Sequence, residues 1–400
     1  MTKEAYLLLA EAKWQELEQL QSVGDFYNYE KRFAEIWVDL GRAVLESSIG
    51  EIPNDRRKKK VQTRFGRIDI ANRHPFSIPV NGFQISPVMQ ELMVYTGQWD
   101  AYGKGVELLG KLAQVEVGST QLYRVSNAYG GLLEPLMELA PAAKEVGENA
   151  VVYAEVDGSM ILTEEGWQEV KVGRVFREED CRESACEKRG NVIEQSEYAA
   201  YLGHYQGFTK RFDPLVRHYQ YLGPLLVFLS DGATWIRNWV SEHYPNATQI
   251  LDFMHVKEHL AALAEHAFPS AEKRKQWVSK QADLLCEGHF DNVLEAVLSF
   301  KFEHPKAQEE QRIQANYLRE NKYRMQYKEY LEQGFFIGSG AIESAHRTVV
   351  QRRLKLSGQR WTKQGAANIL NLRVTYMSNN WDRVTNLIKQ YQPRQMAKAA

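Results

Sequence analysis

The sequence predicts a mixed α/β protein whose first part is mostly helical, and two observations lead to this prediction. Apolar residues recur every three to four positions between residues 4 and 49, which is the spacing of amphipathic helices. Further along, two apolar runs, 150–154 and 224–229, lead to an aspartate that is followed by glycine. Such runs are typical of buried strands. Helical spacing returns from residue 233, so that strands and helices alternate in the second half of the chain.

The helical start, residues 1–60, ends in a run of five basic residues, 56–60. This run could contact DNA phosphates, where each neutralised charge adds a salt-dependent contribution to affinity, or it could be a solvated linker. The candidate phosphate contacts are Arg57, Lys58 and Lys59. Residues 61–80 alternate loosely between apolar and polar and contain glycine and proline, which favours short strands or a hairpin.

The predicted DNA-binding region, residues 61–148, contains a helix-turn-helix pattern. A helical stretch at 108–113 is followed by a turn with Gly118, by Ser119 and Thr120 as candidate N-caps, and by a second helix. In such a motif the start of the second helix meets base edges. Gln121 and Arg124 lie there and carry side chains suited to adenine and guanine. An ordinary helical hairpin remains the alternative. Residues 132–149 could be a linker.

Two aspartates in the second half have the same local context. Asp157 and Asp231 each follow a predicted strand and precede a glycine, so we expect both to lie at strand ends. A strand end in a buried sheet holds a carboxylate rigidly. Carboxylate oxygens are the ligands that Mg²⁺ and Mn²⁺ prefer. Two such ions can activate the attacking oxygen and stabilise the leaving oxygen of a phosphodiester.

A third acid, Glu343, lies in the first turn of a predicted helix. Gly338 and Gly340 surround Ser339, a candidate N-cap, and the helix dipole favours a carboxylate at this position. Asp157, Asp231 and Glu343 could therefore form a two-metal site, if the fold brings them together. The simpler alternative is that the Asp-Gly pairs are turns and that Glu343 is a surface charge.

Three further sequence blocks make the pattern more specific. The stretch 156–160 followed by 166–176 is typical of a strand, a turn and a second strand. Asp252 and His255 form an Asp-x-x-His element between the second aspartate and Glu343. After Glu343 comes a basic block that ends at Trp361. Its candidate DNA contacts are Arg347, Arg352, Arg353 and Lys355. Trp361 could be a core residue or could stack on an unpaired base.

Residues 60–375 resemble DDE transposases of bacterial insertion sequences. The Asp-x-x-His element resembles that of Mutator- and hAT-related transposases, and the block from 338 to 361 resembles the C-terminal block of the Kra type. The resemblance implies an RNase H-like catalytic core, 149–260 and 334–378, interrupted by a helical insertion, 261–333, and followed by a tail, 379–400. It also implies that the three acids are catalytic. Asp252 and His255 could orient DNA or support the site, and the alternative is that His255 is a paired core histidine.

Composition sets limits on partners and location. The formal net charge is −1, so nucleic-acid binding must depend on local basic patches. No apolar run is long enough for a membrane span, and the first residues lack a signal-peptide pattern. We therefore expect a cytoplasmic, nucleoid-associated protein without a membrane partner. The three cysteines, Cys181, Cys186 and Cys286, are odd in number and sparse, which argues against a disulfide framework. No second ligand pair follows Cys181 and Cys186 at zinc-finger spacing, which argues against a structural zinc site.

The leading hypothesis is a transposase that binds the terminal inverted repeats of its element. With two Mg²⁺ or Mn²⁺ ions it would cut double-stranded DNA and join the 3′ ends to target DNA, acting as a homo-oligomer. A nuclease on the same core, without strand transfer, is the first alternative. A domesticated DNA-binding protein without catalysis is the second, although the complete set of three acids argues against it.

Overall fold

The computed structural model describes residues 3–20, 24–139, 150–183, 191–220 and 225–390. The chain forms two compact units. The helical unit comprises Met1–Glu134, Leu356–Gly358 and Gln364–Ala400, and the sheet unit comprises Pro135–Lys355 and Gln359–Lys363. No helix in the described ranges is both long and apolar enough to cross a membrane. Cys186 and the tail from residue 391 lie outside these ranges, as does most of the candidate linker.

Up to residue 134 the elements are α1 (Lys3–Gln19), α2 (Phe26–Ile49), β1 (Lys58–Thr63), β2 (Gly66–Ala71), α3 (Pro87–Trp99), α4 (Tyr102–Ala113) and α5 (Ser119–Leu132). From residue 151 they are β3 (Val151–Thr163), β4 (Gly166–Arg177), β5 (Cys181–Glu183), β6 (Asn191–Ile193), β7 (Glu197–Leu202), α6 (Tyr205–Gln220), β8 (Leu225–Ser230), α7 (Thr234–His243), β9 (Thr248–Leu251), α8 (Phe253–Ala267), α9 (Ala271–Cys286), α10 (Phe290–Leu298), α11 (Pro305–Asn321), α12 (Tyr327–Glu332), α13 (Gly340–Ala345), a π-helical segment (His346–Gln351), α14 (Arg352–Leu354), α15 (Lys363–Met377) and α16 (Asp382–Gln390).

The start of the helical unit confirms the helices and the hairpin that the sequence predicts. Asp25 caps α2, because its carboxylate accepts a hydrogen bond of 2.9 Å from the backbone N–H of Asn28. Strands β1 and β2 pair antiparallel around a tight turn, where Gly66 adopts a φ of +102° that favours glycine. The basic run is not a linker, since Lys58 to Lys60 form the first half of β1.

Helices α3, α4, α5 and α15 pack closely because small residues lie where their backbones meet. A Cβ atom added at Gly130 on α5 would lie 2.3 Å from the backbone oxygen of Asn368 on α15. Asn371 of α15 donates a hydrogen bond of 2.9 Å to the carbonyl of the same glycine. The side chain of Arg373 donates one of 2.7 Å to Gln98 on α3. These buried polar contacts fix α15 against the helices before it.

A five-stranded mixed sheet forms the centre of the sheet unit, in the order β7-β4-β3-β8-β9. Strands β7, β4 and β3 pair antiparallel, whereas β8 and β9 continue the sheet in parallel. Both faces are covered. On one face Val152, Ala154 and Val156 of β3 pack against α6 and α7. On the other face Tyr153 of β3, with Val227 of β8, packs against the helices α8 to α12.

The range predicted as a helical insertion, 261–333, contains the end of α8 and the helices α9 to α12. The predicted division of the chain differs from the structure at its C-terminal end. Residues 364–378, which the sequence assigned to the catalytic core, lie in the helical unit. The reason is that buried side chains of α15 bond to α3 and α5, as described above.

The close approach at Gly130 leads to a stability prediction. We expect Gly130→Ala to lower the free energy of unfolding by about 1–3 kcal/mol, because the new methyl group must displace the backbone of α15. Gly110, on the exposed side of α4, is the matched control, since a Cβ there has no neighbour within 4 Å. Gly110→Ala should stabilise the protein by roughly 0.5–1 kcal/mol through helix propensity alone. Urea unfolding measures both, and equal effects would contradict the packing argument.

Candidate active site

The sheet brings Asp157 and Asp231 side by side. In the parallel pairing of β3 with β8, Val156 lies opposite Ser230, and each aspartate is the next residue along its chain. Successive side chains of a strand alternate between faces, so both carboxylates lie on the face that packs against α8 to α12. Burial raises the pKa of Asp157 and of Asp231, and the negative charge of Asp157 raises the pKa of Asp231 further. The two carboxylates therefore share one electrostatic environment.

The prediction that Asp157 ends its strand was wrong. Strand β3 continues six residues beyond it to Thr163 and pairs with β4 all the way to the turn before Gly166. Only the parallel partner β8 stops here, at Ser230. The glycine after Asp157 does not form a turn. Instead, Gly158 makes room for the side chain of Glu169 on β4, whose carboxylate oxygen would be 2.5 Å from an added Cβ.

Asp231 does end a strand, as predicted. It follows β8 directly, and its carboxylate accepts a hydrogen bond of 2.9 Å from the backbone N–H of Ala233 at the start of α7. Gly232 is necessary here because the ring of Tyr317 on α11 would be 2.3 Å from a Cβ atom. The buried guanidinium of Arg324 lies 3.5 Å from the backbone oxygen of Asp231. The insertion thus covers this side of the site.

Asp252 is buried and connects two helices. It follows β9 and caps α8 by accepting hydrogen bonds from the backbone N–H groups of Met254, at 3.1 Å, and His255, at 3.4 Å. Its oxygens also accept from the backbone N–H and the hydroxyl of Ser339, at 3.0 and 2.6 Å. Ser339 is at the N-cap position of α13, as predicted, but its side chain does not cap that helix. The hydroxyl binds Asp252 instead.

His255 is half-buried at the start of α8, close to these acids. Its Nδ1 lies 3.0 Å from Glu258, and its Nε2 lies 3.8 Å from Asp252. Burial by itself would lower the pKa of His255, but the negative charges of Asp252, Glu258, Asp231 and Asp157 raise it above its usual value. The surrounding acids thus outweigh the effect of burial on this imidazole.

Glu343 lies in the first turn of α13, as predicted, and its side chain is exposed. The helix continues through the π-helical segment, where His346 is buried and its Nε2 lies 3.4 Å from the carboxylate of Asp157. Burial lowers the pKa of His346 to about 4, so that this imidazole is neutral. Within the described part of the chain, no three His, Cys, Asp or Glu side chains are close enough together to hold a metal ion.

Glu155 is a site residue that the sequence reading missed. It lies two positions before Asp157 on the same face of β3 and is 1 % exposed. Burial raises its pKa to about 8, although the charge of Arg174 and the backbone N–H of Ile342 oppose this rise. The negative charge of Glu343 also raises the pKa of Glu155, so these two carboxylates are close enough to interact electrostatically. The sequence could have indicated Glu155, because it is a charged residue inside an apolar strand and lies two positions before Asp157, on the same face.

The basic block after Glu343 divides into exposed and buried members. Arg347, Arg352 and Lys355 are exposed, and the Lys355 amine donates a hydrogen bond of 2.5 Å to Ser159 on β3. Arg353 is fully buried, with its guanidinium carbon 4.9 Å from the centre of the Trp361 ring, so it does not offer its charge to DNA. Trp361 is also buried and donates to the carbonyl of Leu354. It is a core residue and not an exposed stacking platform.

The candidate DNA-reading residues of the helical unit lie on α5. Arg124 is exposed and Gln121 is half-buried, while Leu122, Val125 and Ser126 of the same helix are buried. The N-cap position belongs to Gly118, and no side chain caps the helix, so the expectation of a Ser or Thr cap was wrong. In the basic run Arg57 and Lys58 are exposed and Lys59 is half-buried.

Burial of Glu155 leads to a pH prediction. Its folded-state pKa of about 8 exceeds the ordinary 4.5, so the contribution of Glu155 to wild-type stability falls as pH rises between these values. Glu155→Gln lacks this loss, and its relative stability should grow by at most about 1.4 kcal/mol per pH unit. Urea unfolding with EDTA at about pH 5 and about pH 8 measures the change. Glu164→Gln, in the exposed β3–β4 turn, is the control. Parallel pH profiles of wild type and Glu155→Gln would contradict the prediction.

The chain belongs to an uncharacterised protein family (UPF0236), whose model matches residues 86–390. The matched range includes α3 to α5 of the helical unit and the whole described part of the sheet unit after Glu134. A comparison with curated proteins finds no match. Membership in this family assigns no activity to the chain, so a functional proposal depends on the geometry of the site.

Proposed function

We propose that the protein is a DDE transposase with an RNase H-like catalytic core. The observation that carries the proposal is the pairing of Asp157 with Asp231 on neighbouring parallel strands, with the Glu343 helix joined to the same site by Asp252. A central sheet with helices on both faces, and a helical insertion ahead of the third acid, is the architecture that such a core requires.

The donor set suits divalent cations. Asp157 and Asp231 are half-buried carboxylates whose pKa values are raised by burial. A bound cation would offset the free-energy cost of keeping these buried groups negatively charged. Mg²⁺ or Mn²⁺ prefers such oxygen ligands. Asp157 and Asp231 would be the first ligands, and Glu343, which does not lie within metal-ligand range of both in this structure, would be the third. Two bound ions would supply the charge stabilisation that phosphodiester cleavage needs. His255, whose Nε2 lies 3.8 Å from Asp252, would support the site or orient DNA.

The exposed basic residues near the site could bind DNA. Arg347 and Arg352 follow Glu343 on the same continuous helix, and Lys355 is anchored next to β3. Positive charges in this position would bind the phosphates next to the scissile bond. In the helical unit, Arg124 and Gln121 of α5 would read base edges at the ends of the element, and the β1 lysines would bind phosphates in any sequence.

The catalytic proposal predicts that Asp157→Asn abolishes cleavage in Mg²⁺ and leaves DNA binding largely intact. Asparagine keeps the shape of the side chain but loses the charge that a cation needs. The substrate is labelled duplex from the two ends of the chromosomal segment that carries the gene, with a scrambled duplex of equal composition for comparison. Gel shift and cleavage are measured on the same preparation, and Glu164→Gln serves as the matched acidic control.

The products of this assay separate the candidate functions. Nicked ends together with joined products support a transposase, whereas cut ends without joined products support a nuclease on the same core. Specific binding without any cleavage by the wild-type protein would support a DNA-binding protein without catalysis. Full cleavage by Asp157→Asn would remove Asp157 from the site.

The recognition proposal predicts different effects for bases and phosphates. Arg124→Ala should reduce the preference for end sequences over scrambled DNA by about 1–3 kcal/mol. Lys58→Ala should weaken both duplexes equally and lower the salt slope by about one. Lys111, exposed and paired with Glu107 at 3.0 Å on α4, is the control for loss of a surface charge. Binding across a salt series decides, and an unchanged preference in Arg124→Ala would show that this residue does not read bases.

A further inference from the structure

A buried arginine lies under the helix that carries Glu343. Arg174, in the middle of β4, is 5 % exposed. Its Nε donates a hydrogen bond of 2.9 Å to the hydroxyl of Ser196, and its Nη1 donates one of 2.8 Å to the backbone carbonyl of Ala341 on α13. The guanidinium carbon lies 5.4 Å from the ring centres of both Phe176 and Tyr198. The group is therefore fixed by two directed bonds and two aromatic rings.

The position of α13 depends on contacts from outside the helix. Helix α13 has only six residues. Although the helix continues from α13 through the π-helical segment to Leu354, its first turn has no side-chain cap of its own. Asp252 holds Ser339, at the N-cap, and Arg174 holds the carbonyl of Ala341, two residues before Glu343. These two contacts fix the first turn at two neighbouring points.

Glu155 completes the arrangement. In the register of β3 with β4 it lies directly opposite Arg174, and the two side chains interact electrostatically. It also faces the backbone N–H of Ile342, the residue between Ala341 and Glu343. Arg174 and Glu155 are thus neighbours in the sheet, and both lie against the first turn of α13.

We propose that Arg174 is a positioning residue, which sets the place of Glu343 in the site by holding the first turn of α13. This inference rests on the proposed function for the role of Glu343, although the link between Arg174 and α13 can be measured without it. The planar guanidinium is what allows both bonds, because its donors point in fixed and different directions. A lysine at the same place has one donor centre and cannot reproduce both.

The first measurement is hydrogen–deuterium exchange of the full-length protein without DNA or metal. We expect Arg174→Met to increase the exchange of amides in residues 339–345 about tenfold, with a smaller change in peptides from β3 and β8. Arg211→Met is the matched control, since Arg211 is also a buried arginine, with a bond of 2.9 Å to the carbonyl of Ala200 and a ring contact to Tyr201. It should leave residues 339–345 unchanged.

The second measurement is cleavage of the end duplexes in Mg²⁺. We expect kcat of Arg174→Met to fall about 10- to 100-fold with KM for DNA within twofold, because a misplaced catalytic group slows the reaction without weakening binding. Arg174→Lys should restore little of this loss. If Arg174→Met does not fold, Arg174→Lys and Ser196→Ala replace it, and each should raise the exchange of residues 339–345.

The outcomes separate the two proposals. Unchanged exchange at 339–345 in the Arg174 variants, or an equal increase throughout the sheet unit, overturns the positioning role. Wild-type kcat in an Arg174 variant overturns it as well. If the wild-type protein cleaves no DNA, the proposed function fails, and the exchange measurement still decides whether Arg174 holds α13.

Discussion

The buried carboxylate of Asp252 is the interaction on which the candidate site depends. It accepts four hydrogen bonds, two from the start of α8 and two from Ser339, which lies 87 residues further along the chain. Hydrogen bonds to a charged group contribute about 1.5–3 kcal/mol each. An uncompensated charge at this depth would be strongly unfavourable. The insertion can therefore leave the sheet at Asp252 and the chain can return beside it, so that both ends of a long excursion meet at one side chain.

The acids around this point work against stability. Asp157, Asp231 and Glu155 all have raised pKa values, which means that the fold holds their charged forms unfavourably. Hydrophobic residues at these positions would pack into the sheet without that cost. Clusters of perturbed acids in an otherwise well-packed core are typical of functional sites, where local stability is exchanged for chemistry. The rest of the sheet unit offsets this with two apolar cores, one on each face.

The sequence predicted the parts of the fold that follow from local patterns. The continuous apolar run at β8 and the helical spacing of α9 to α12 are properties of short segments, and both are observed. The extent of β3 could not be predicted in this way. Asp157-Gly158 has the composition of a turn, but twelve residue pairs with β4 keep the chain extended through it. The placement of α15 likewise depends on long-range polar contacts that no local pattern contains.

The local positions of Asp231 and Glu343 were predictable, but the contacts that hold these residues were not. Asp231 and Glu343 are where their local contexts place them, after a strand and in the first turn of a helix. The burial of Arg353 could not be read from the sequence, because adjacent arginines on a helix differ only in which side they face. Arg352 is exposed, whereas Arg353 lies under Trp361. The same holds for Arg174 and Glu155, whose positions become meaningful only when β3 and β4 are paired in register. Residues that carry chemistry have recognisable contexts, whereas residues that position them are defined by the partners that the fold brings close.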